Sequence, residues 1–136
     1  TAVFADTSYF IALVESADEF HECAAEFSGN NRRPILTSSA IILELGAHFS
    51  RGPRRTVFLR ILQIMDEDQV EIVFIDSSLQ ARGLALFAER PDKNWSLVDC
   101  VSFTVMQDRG IIDAATTDIH FEQADFNALL RRSLKK

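Results

Sequence analysis

The stretch SLVDCVSFTVMQDRGIIDAATTD, Ser96 to Asp118, decides the fold class. Ser96 is a preferred helix N-cap residue, Leu97, Val98, Val101 and Val105 recur on one helical face, and Gly110 is the residue type that most readily closes a helix. The apolar run Ile111 to Thr116 follows at once, so a helix passes the chain to a strand without a linker. That strand ends at Thr117-Asp118, polar residues suited to opening another turn.

The same alternation extends in both directions. Ala2-Val3-Phe4-Ala5 reads as a strand, Asp6-Thr7-Ser8 as a group of cap residues, and Tyr9 to Glu15 as an amphipathic helix. A second helix is expected over Asp18 to Phe27, ahead of the Gly29-Asn30-Asn31 break. Pro34 to Thr37 reads as a strand, Ser38 or Ser39 opens a helix to about Ser50, and Gly52-Pro53 separates it from a helix over Arg54 to Asp66. Val70 to Ile75 is β-branched and aromatic, and Asp76 caps a helix that runs to Arg90 before the polar loop Pro91 to Trp95. Beyond Asp118 come a short turn or helix over His120 to Ala124 and a last strand, Phe126 to Leu130. Strands alternating with helices over short connections imply an α/β fold: a parallel sheet of four to five strands, helices on both faces.

With 136 residues, 47% hydrophobic and 25% charged, the chain has the size and balance of one soluble domain spanning 1–136. Cys23 and Cys100 stand apart with no zinc-type spacing, and read as reduced thiols of a cytoplasmic protein. The longest uncharged stretch, Pro34 to Leu43, falls well short of the roughly 20 residues that cross a bilayer, and no basic segment precedes the first apolar run, so neither a membrane span nor a secretory signal is expected. A net charge of −6 disfavours broad adhesion to nucleic acid but permits a local basic patch.

Function is carried by carboxylates. In open α/β sheets, ligands gather outside the carboxyl ends of the strands, and Asp6 and Asp118 each follow a strand directly. Both also suit a helix N-cap, and the sequence leaves the two roles open. Asp76 reads as a cap alone. Glu44 lies within Ile41-Ile42-Leu43-Glu44-Leu45-Gly46-Ala47, where an unpaired carboxylate among apolar neighbours is costly; a partly wet face relieves that cost, and a divalent cation does so more directly. Asp99 completes a capping-box pattern with Ser96, and from the first helical turn it also reaches past the helix end towards a cation. Four carboxylates from separate elements match the oxygen ligands of Mg²⁺ or Mn²⁺, whose chemistry points to phosphodiester hydrolysis.

These motifs resemble the PIN domain: Asp6-Thr7-Ser8 after the first strand, Glu44 in the apolar helix after the second, Trp95-Ser96-Leu97-Val98-Asp99-Cys100 opening a late helix, and Thr116-Thr117-Asp118-Ile119-His120-Phe121-Glu122-Gln123-Ala124. The resemblance covers essentially the whole chain, and length and motif order are similar to the VapC-like ribonuclease toxins of toxin–antitoxin pairs. It implies a three-layer α/β/α fold in which Asp6, Glu44, Asp99 and Asp118 are the catalytic and metal-ligating acids and Thr116 is a supporting hydroxyl. It further implies Mg²⁺- or Mn²⁺-dependent endonucleolytic cleavage of RNA leaving a 5′-phosphate, an antitoxin protein as partner, and a homodimer. One departure is Asp125, where relatives often carry Gly; it is expected to touch a turn rather than catalysis. His120 and Phe121 are expected to pack, as is Trp95.

Arg51, Arg54, Arg55 and Arg60 cluster around Gly52-Pro53, where Arg51, Arg54 and Arg55 are candidates for contact with RNA phosphates or an acidic partner, or else form a solvated helix surface. Arg131, Arg132, Lys135 and Lys136 read as a frayed tail. Three other readings compete. A receiver-type signalling module would need paired acids after the first strand and a late Lys, but Asp6 has no adjacent acid and no Lys lies between Lys93 and Lys135; an aspartyl phosphatase would need Asp-x-Asp where Asp6-Thr7-Ser8 stands. A non-catalytic PIN-like RNA-binding or regulatory module is the other alternative.

Overall fold

Val3, Phe4 and Ala5 are each fully buried, as a strand covered on both faces must be, and they form β1 at the middle of the sheet. A computed structural model of the chain describes residues 1–135, with side chains as far as Arg132. The elements run in the order β1 (Val3–Ala5), α1 (Thr7–Val14), α2 (His21–Asn30), β2 (Ile35–Ser38), α3 (Ser39–His48), α4 (Arg54–Glu67), β3 (Glu71–Val73), α5 (Ser77–Glu89), α6 (Leu97–Arg109), β4 (Asp113–Ala115), α7 (Ile119–Gln123), β5 (Asn127–Ala128) and α8 (Leu129–Lys135). Among the described residues the strands form one sheet in the order β3-β2-β1-β4-β5. Every pairing is parallel, with Phe4 opposite Leu36 on one side and Ala114 on the other. Helices flank the sheet in the three-layer α/β/α arrangement expected.

The connection from β1 leads outward through β2 to β3, after which the chain crosses to the other side of β1 for β4 and β5. That reversal opens a crevice at the carboxyl ends of β1 and β4, where an α/β sheet binds its ligands. Asp6 and Thr116 to Asp118 stand at these ends.

Helix α6 is buried around its whole circumference from Asp99 to Met106, whereas Leu97, expected on the inner face, is 37% exposed. Gly83 of α5 makes the close approach to α6: a Cβ on Gly83 would lie 2.6 Å from Val101 Cγ2. On the core side, Phe103 meets Trp95 at 5.1 Å, Phe121 at 5.0 Å and Phe126 at 5.5 Å between ring centroids. Trp95 and Phe121 therefore pack as expected, and Trp95 Nε1 donates to Gln123 Oε1 at 3.1 Å. Gly110 closes α6 in the left-handed conformation with φ 64°, and Asp76 caps α5 by accepting the Leu79 N–H at 2.9 Å.

Several boundaries differ from expectation. Helix α2 starts at His21, because Asp18 turns the chain first by accepting the Phe20 N–H at 2.8 Å, and it continues through Gly29 and Asn30. Strand β3 is confined to Glu71–Val73 and β4 to Asp113–Ala115. The last strand is only Asn127–Ala128, and Leu129 and Leu130 open α8. Leu130 is 1% exposed, so a helical turn seats the apolar residues that had suggested a strand. The basic end is not a frayed tail at Arg131 and Arg132, which lie in α8 and are tied by hydrogen bonds to Thr117 and Asn127. Lys136 and the side chain of Lys135 lie outside the described residues.

Candidate active site

Asp6 leaves β1 at the N-terminus of α1, 5% exposed, and its side chain does not cap the helix. Oδ2 instead accepts hydrogen bonds from Ser8 Oγ at 2.9 Å and Thr116 Oγ1 at 2.8 Å. The same two hydroxyls organise the exit from β4: Ser8 Oγ accepts the Thr117 N–H at 3.0 Å, and Thr116 Oγ1 accepts the Asp118 N–H at 3.0 Å. One network thus joins the strand-end carboxylate of β1 to the loop that carries Asp118.

Asp99, 8% exposed, completes a capping box with Ser96, each backbone N–H donating to the other's side-chain oxygen at 3.0 Å. Its Oδ2 also lies 3.2 Å from His120 Nδ1, and Asp118 Oδ1 lies 3.1 Å from the same nitrogen. Capping and projection into the crevice therefore coexist at Asp99. Asp118 does cap α7, accepting the His120 N–H at 2.9 Å, so it too holds both roles that the sequence had left open. His120 does not pack in the core as expected. Its Nδ1 stands between two carboxylates, buried and without an aligned hydrogen-bond partner.

Glu44 enters from α3 and accepts a hydrogen bond from Thr7 Oγ1, which fixes it beside Asp6. It is half-buried rather than enclosed, since the helix turns Leu43 outward to 76% exposure. All four expected acids line one open cleft of about 330 Å³, together with His120, while Asn94 and Ser96 form its rim.

The electrostatics are those of a site short of positive charge. Burial pushes the Asp6 carboxyl up to about 6 against the lowering effect of the Thr116 and Ser8 hydroxyls, and the nearby charges of Asp99 and Asp118 add to the rise. Burial likewise lifts Asp99 above the ordinary carboxylate range; the Ser96 amide opposes this and Asp118 reinforces it. A cation among these groups would reverse both effects. Ligands around one Mg²⁺ at about 2.1 Å stand no more than about 4.2 Å apart. One ligand atom from each of Asp99, Asp118 and His120 already lies within 4.8 Å of the others, so the donor set fits a divalent cation with small adjustments.

Ser8, Thr7 and His120 were not among the residues expected in this cleft. A signal was present in spacing: Ser8 stands two residues after one strand-end acid, and His120 two residues after the other. The arginine cluster is partly occupied elsewhere. Arg54 donates to Glu15 Oε1 at 2.7 Å and lies 4.9 Å over the Phe49 ring, and Arg55 donates to the Ser50 carbonyl at 3.2 Å, whereas Arg51 is exposed.

The family model described as PIN domain matches residues 3–127. The chain belongs to the PIN domain family. In sequence this PIN domain is 28% identical over 126 residues to the 23S rRNA-specific endonuclease VapC20 of Mycobacterium tuberculosis, in two strains, covering 91% of this chain and 95% of the relative. Its fold is similar to the crystal structure of VapC20, described as a sarcin-ricin loop cleaving toxin, with a TM-score of 0.85, 23% identity, and coverage of 93% and 97% of the two chains. It is also similar to a chain of VapBC2 from Rickettsia felis bound to a promoter DNA fragment, with a TM-score of 0.66, 14% identity, and coverage of 90% and 92%.

Proposed function

We propose that this PIN domain is a Mg²⁺- or Mn²⁺-dependent endoribonuclease acting as the toxin of a toxin–antitoxin pair. The observation that carries the proposal is the gathering of Asp6, Glu44, Asp99 and Asp118 around one cleft at the carboxyl ends of β1 and β4. Asp6, Glu44, Asp99 and Asp118 would hold the cation, with His120, whose ring nitrogen stands among the Asp99 and Asp118 oxygens, as a further donor. When bound, the cation neutralises phosphate oxygens and lowers the pKa of an attacking water. The chain's own part is to orient these oxygens: Ser8 and Thr116 fix Asp6, the capping box fixes Asp99, and Thr7 fixes Glu44. Retention of the four acids around one cleft favours catalysis over a binding-only module.

The relative's specificity for 23S rRNA makes structured ribosomal RNA the substrate class to test first. A ribosomal RNA substrate supports a cytoplasmic site of action, and among the described residues no helix is long and apolar enough to cross a membrane. An antitoxin and a second copy of the chain are the partners to test, and Leu43 of α3 and Leu59 of α4, 76% and 60% exposed, are apolar residues open to such contacts. Light scattering on the purified chain tests the homodimer, and residues 1–136 are taken to act as one domain.

The deciding experiment compares wild type and Asp99→Ala on ribosomal RNA and a mixed RNA pool, with Mg²⁺, Mn²⁺ or EDTA. Cation-dependent cutting by wild type that is lost in Asp99→Ala, with the fold intact by circular dichroism, is expected. Equal cutting by both proteins would refute the assignment.

A further inference from the structure

Resting on the cation-site reading above, we propose that Arg131 is a positioning residue that clamps the Asp118 loop from α8. Arg131 is part-buried, and its NH1 donates to the Thr117 carbonyl at 3.2 Å. Thr117 is the peptide between Thr116, whose hydroxyl holds Asp6, and Asp118, which faces His120. Its N–H is taken by Ser8 Oγ and its C=O by Arg131, so both backbone polar groups of this residue are anchored, one from α1 and one from α8. The guanidinium also forms an ion pair with Glu122 of α7, whose Oε1 lies 3.5 Å from Nε, without an aligned hydrogen bond at that nitrogen. Arg131 therefore ties α8, α7 and the loop before α7 together at the residue that links Thr116 to Asp118.

Groups that orient a ligand without touching the metal commonly alter metal affinity or activity by about 10- to 100-fold when removed. Positioning is distinguishable from simple charge by its sign. A cationic side chain near a cation site repels the ion, so loss of charge alone would tighten binding. Loss of the clamp lets the Thr117–Asp118 segment move and weakens it.

The test uses the full chain carrying Arg131→Ala and Arg131→Lys, with Asp118→Ala as reference. Mn²⁺ affinity is read by the electron paramagnetic resonance of free Mn²⁺, without RNA. Arg131→Ala is expected to bind Mn²⁺ about tenfold more weakly, and Arg131→Lys, which keeps one N–H donor, to recover most of the loss. In RNA cleavage at saturating Mn²⁺, kcat is expected to fall with KM nearly unchanged. Unchanged or tighter Mn²⁺ binding in Arg131→Ala overturns the proposal. So does a change confined to KM, which would make Arg131 an RNA contact. Amide hydrogen exchange in EDTA provides the second measurement: faster exchange at Thr117, Asp118 and His120 in Arg131→Ala supports the clamp, and unchanged exchange there refutes it. If wild type binds no Mn²⁺, the cation-site reading fails, while the exchange result still decides the clamp.

Discussion

Asp6 is the residue at which fold stability and site chemistry oppose one another. Its carboxyl is raised from 3.8 to about 6, so between these pH values the native state holds more protons than the unfolded chain. The contribution of Asp6 to the stability of the metal-free protein therefore falls as pH rises from 4 to 6 and stays low above, a penalty on the order of 2–3 kcal/mol. Asp6→Asn removes the charge while retaining an acceptor oxygen, so in EDTA it is expected to melt above wild type at pH 7.5, the gap closing by pH 4.5, and to lack nuclease activity. A variant that melts below wild type at pH 7.5 would contradict this account. Asp125 lies apart from the cleft and strains a turn: with φ 68°, it occupies a conformation that costs a residue with a Cβ about 1–2 kcal/mol. Asp125→Gly should raise the midpoint of urea unfolding and leave RNA cleavage unchanged. The resemblance to the PIN domain had led to a turn being expected there.

At the scale of elements, the packing of α5 on α6 sets where the late carboxylate stands, since Asp99 lies in the first turn of α6. Gly83 permits this packing: an added Cβ would meet Val101 Cγ2 at 2.6 Å and the Val101 backbone Cα at 3.3 Å. In an isolated helix Gly→Ala is favourable by about 1 kcal/mol. Here overpacking should outweigh it, and Gly83→Ala is expected to lower stability by about 1–3 kcal/mol in chemical denaturation. The double variant Gly83→Ala, Val101→Ala relieves the clash at Cγ2, so its loss should be smaller than the sum of the two single losses. Additive losses would show that the two residues do not meet. Helix α6 is buried on all sides only from Asp99 to Met106, and Leu97, at its first position, lies before that stretch; apolar spacing marks a face but not where burial along the helix begins.

For the molecule as a whole, the proposed cation would link stability to function. An ion that binds the folded cleft and not the dispersed carboxylates of the unfolded chain should, at 100 times its dissociation constant, stabilise the protein by about 3 kcal/mol. The expected observation is a melting temperature at pH 7.5 that rises with Mn²⁺ in wild type and is flat in Asp118→Ala; a flat response in wild type would leave the acidic cleft without its cation. Strand–helix alternation was legible in the chain because a strand buried on both faces must be continuously apolar, as Val3 to Ala5 are, and because Ser96, Asp76 and Gly110 mark helix ends through local hydrogen bonds and backbone conformation. The acids themselves were legible too, since Asp6 and Asp118 interrupt apolar runs where a strand stops. What no local rule decides is which side chains meet. Asp6 could have capped its own helix, and only the return of β4 alongside β1, more than a hundred residues later, supplies the Thr116 hydroxyl that draws it into the cleft. His120 and Arg131 were misread for the same reason: a short helix and a basic C-terminal run carry no periodic signal, and their partners Asp99 and Thr117 come from other elements, so their roles exist only once the tertiary contacts form.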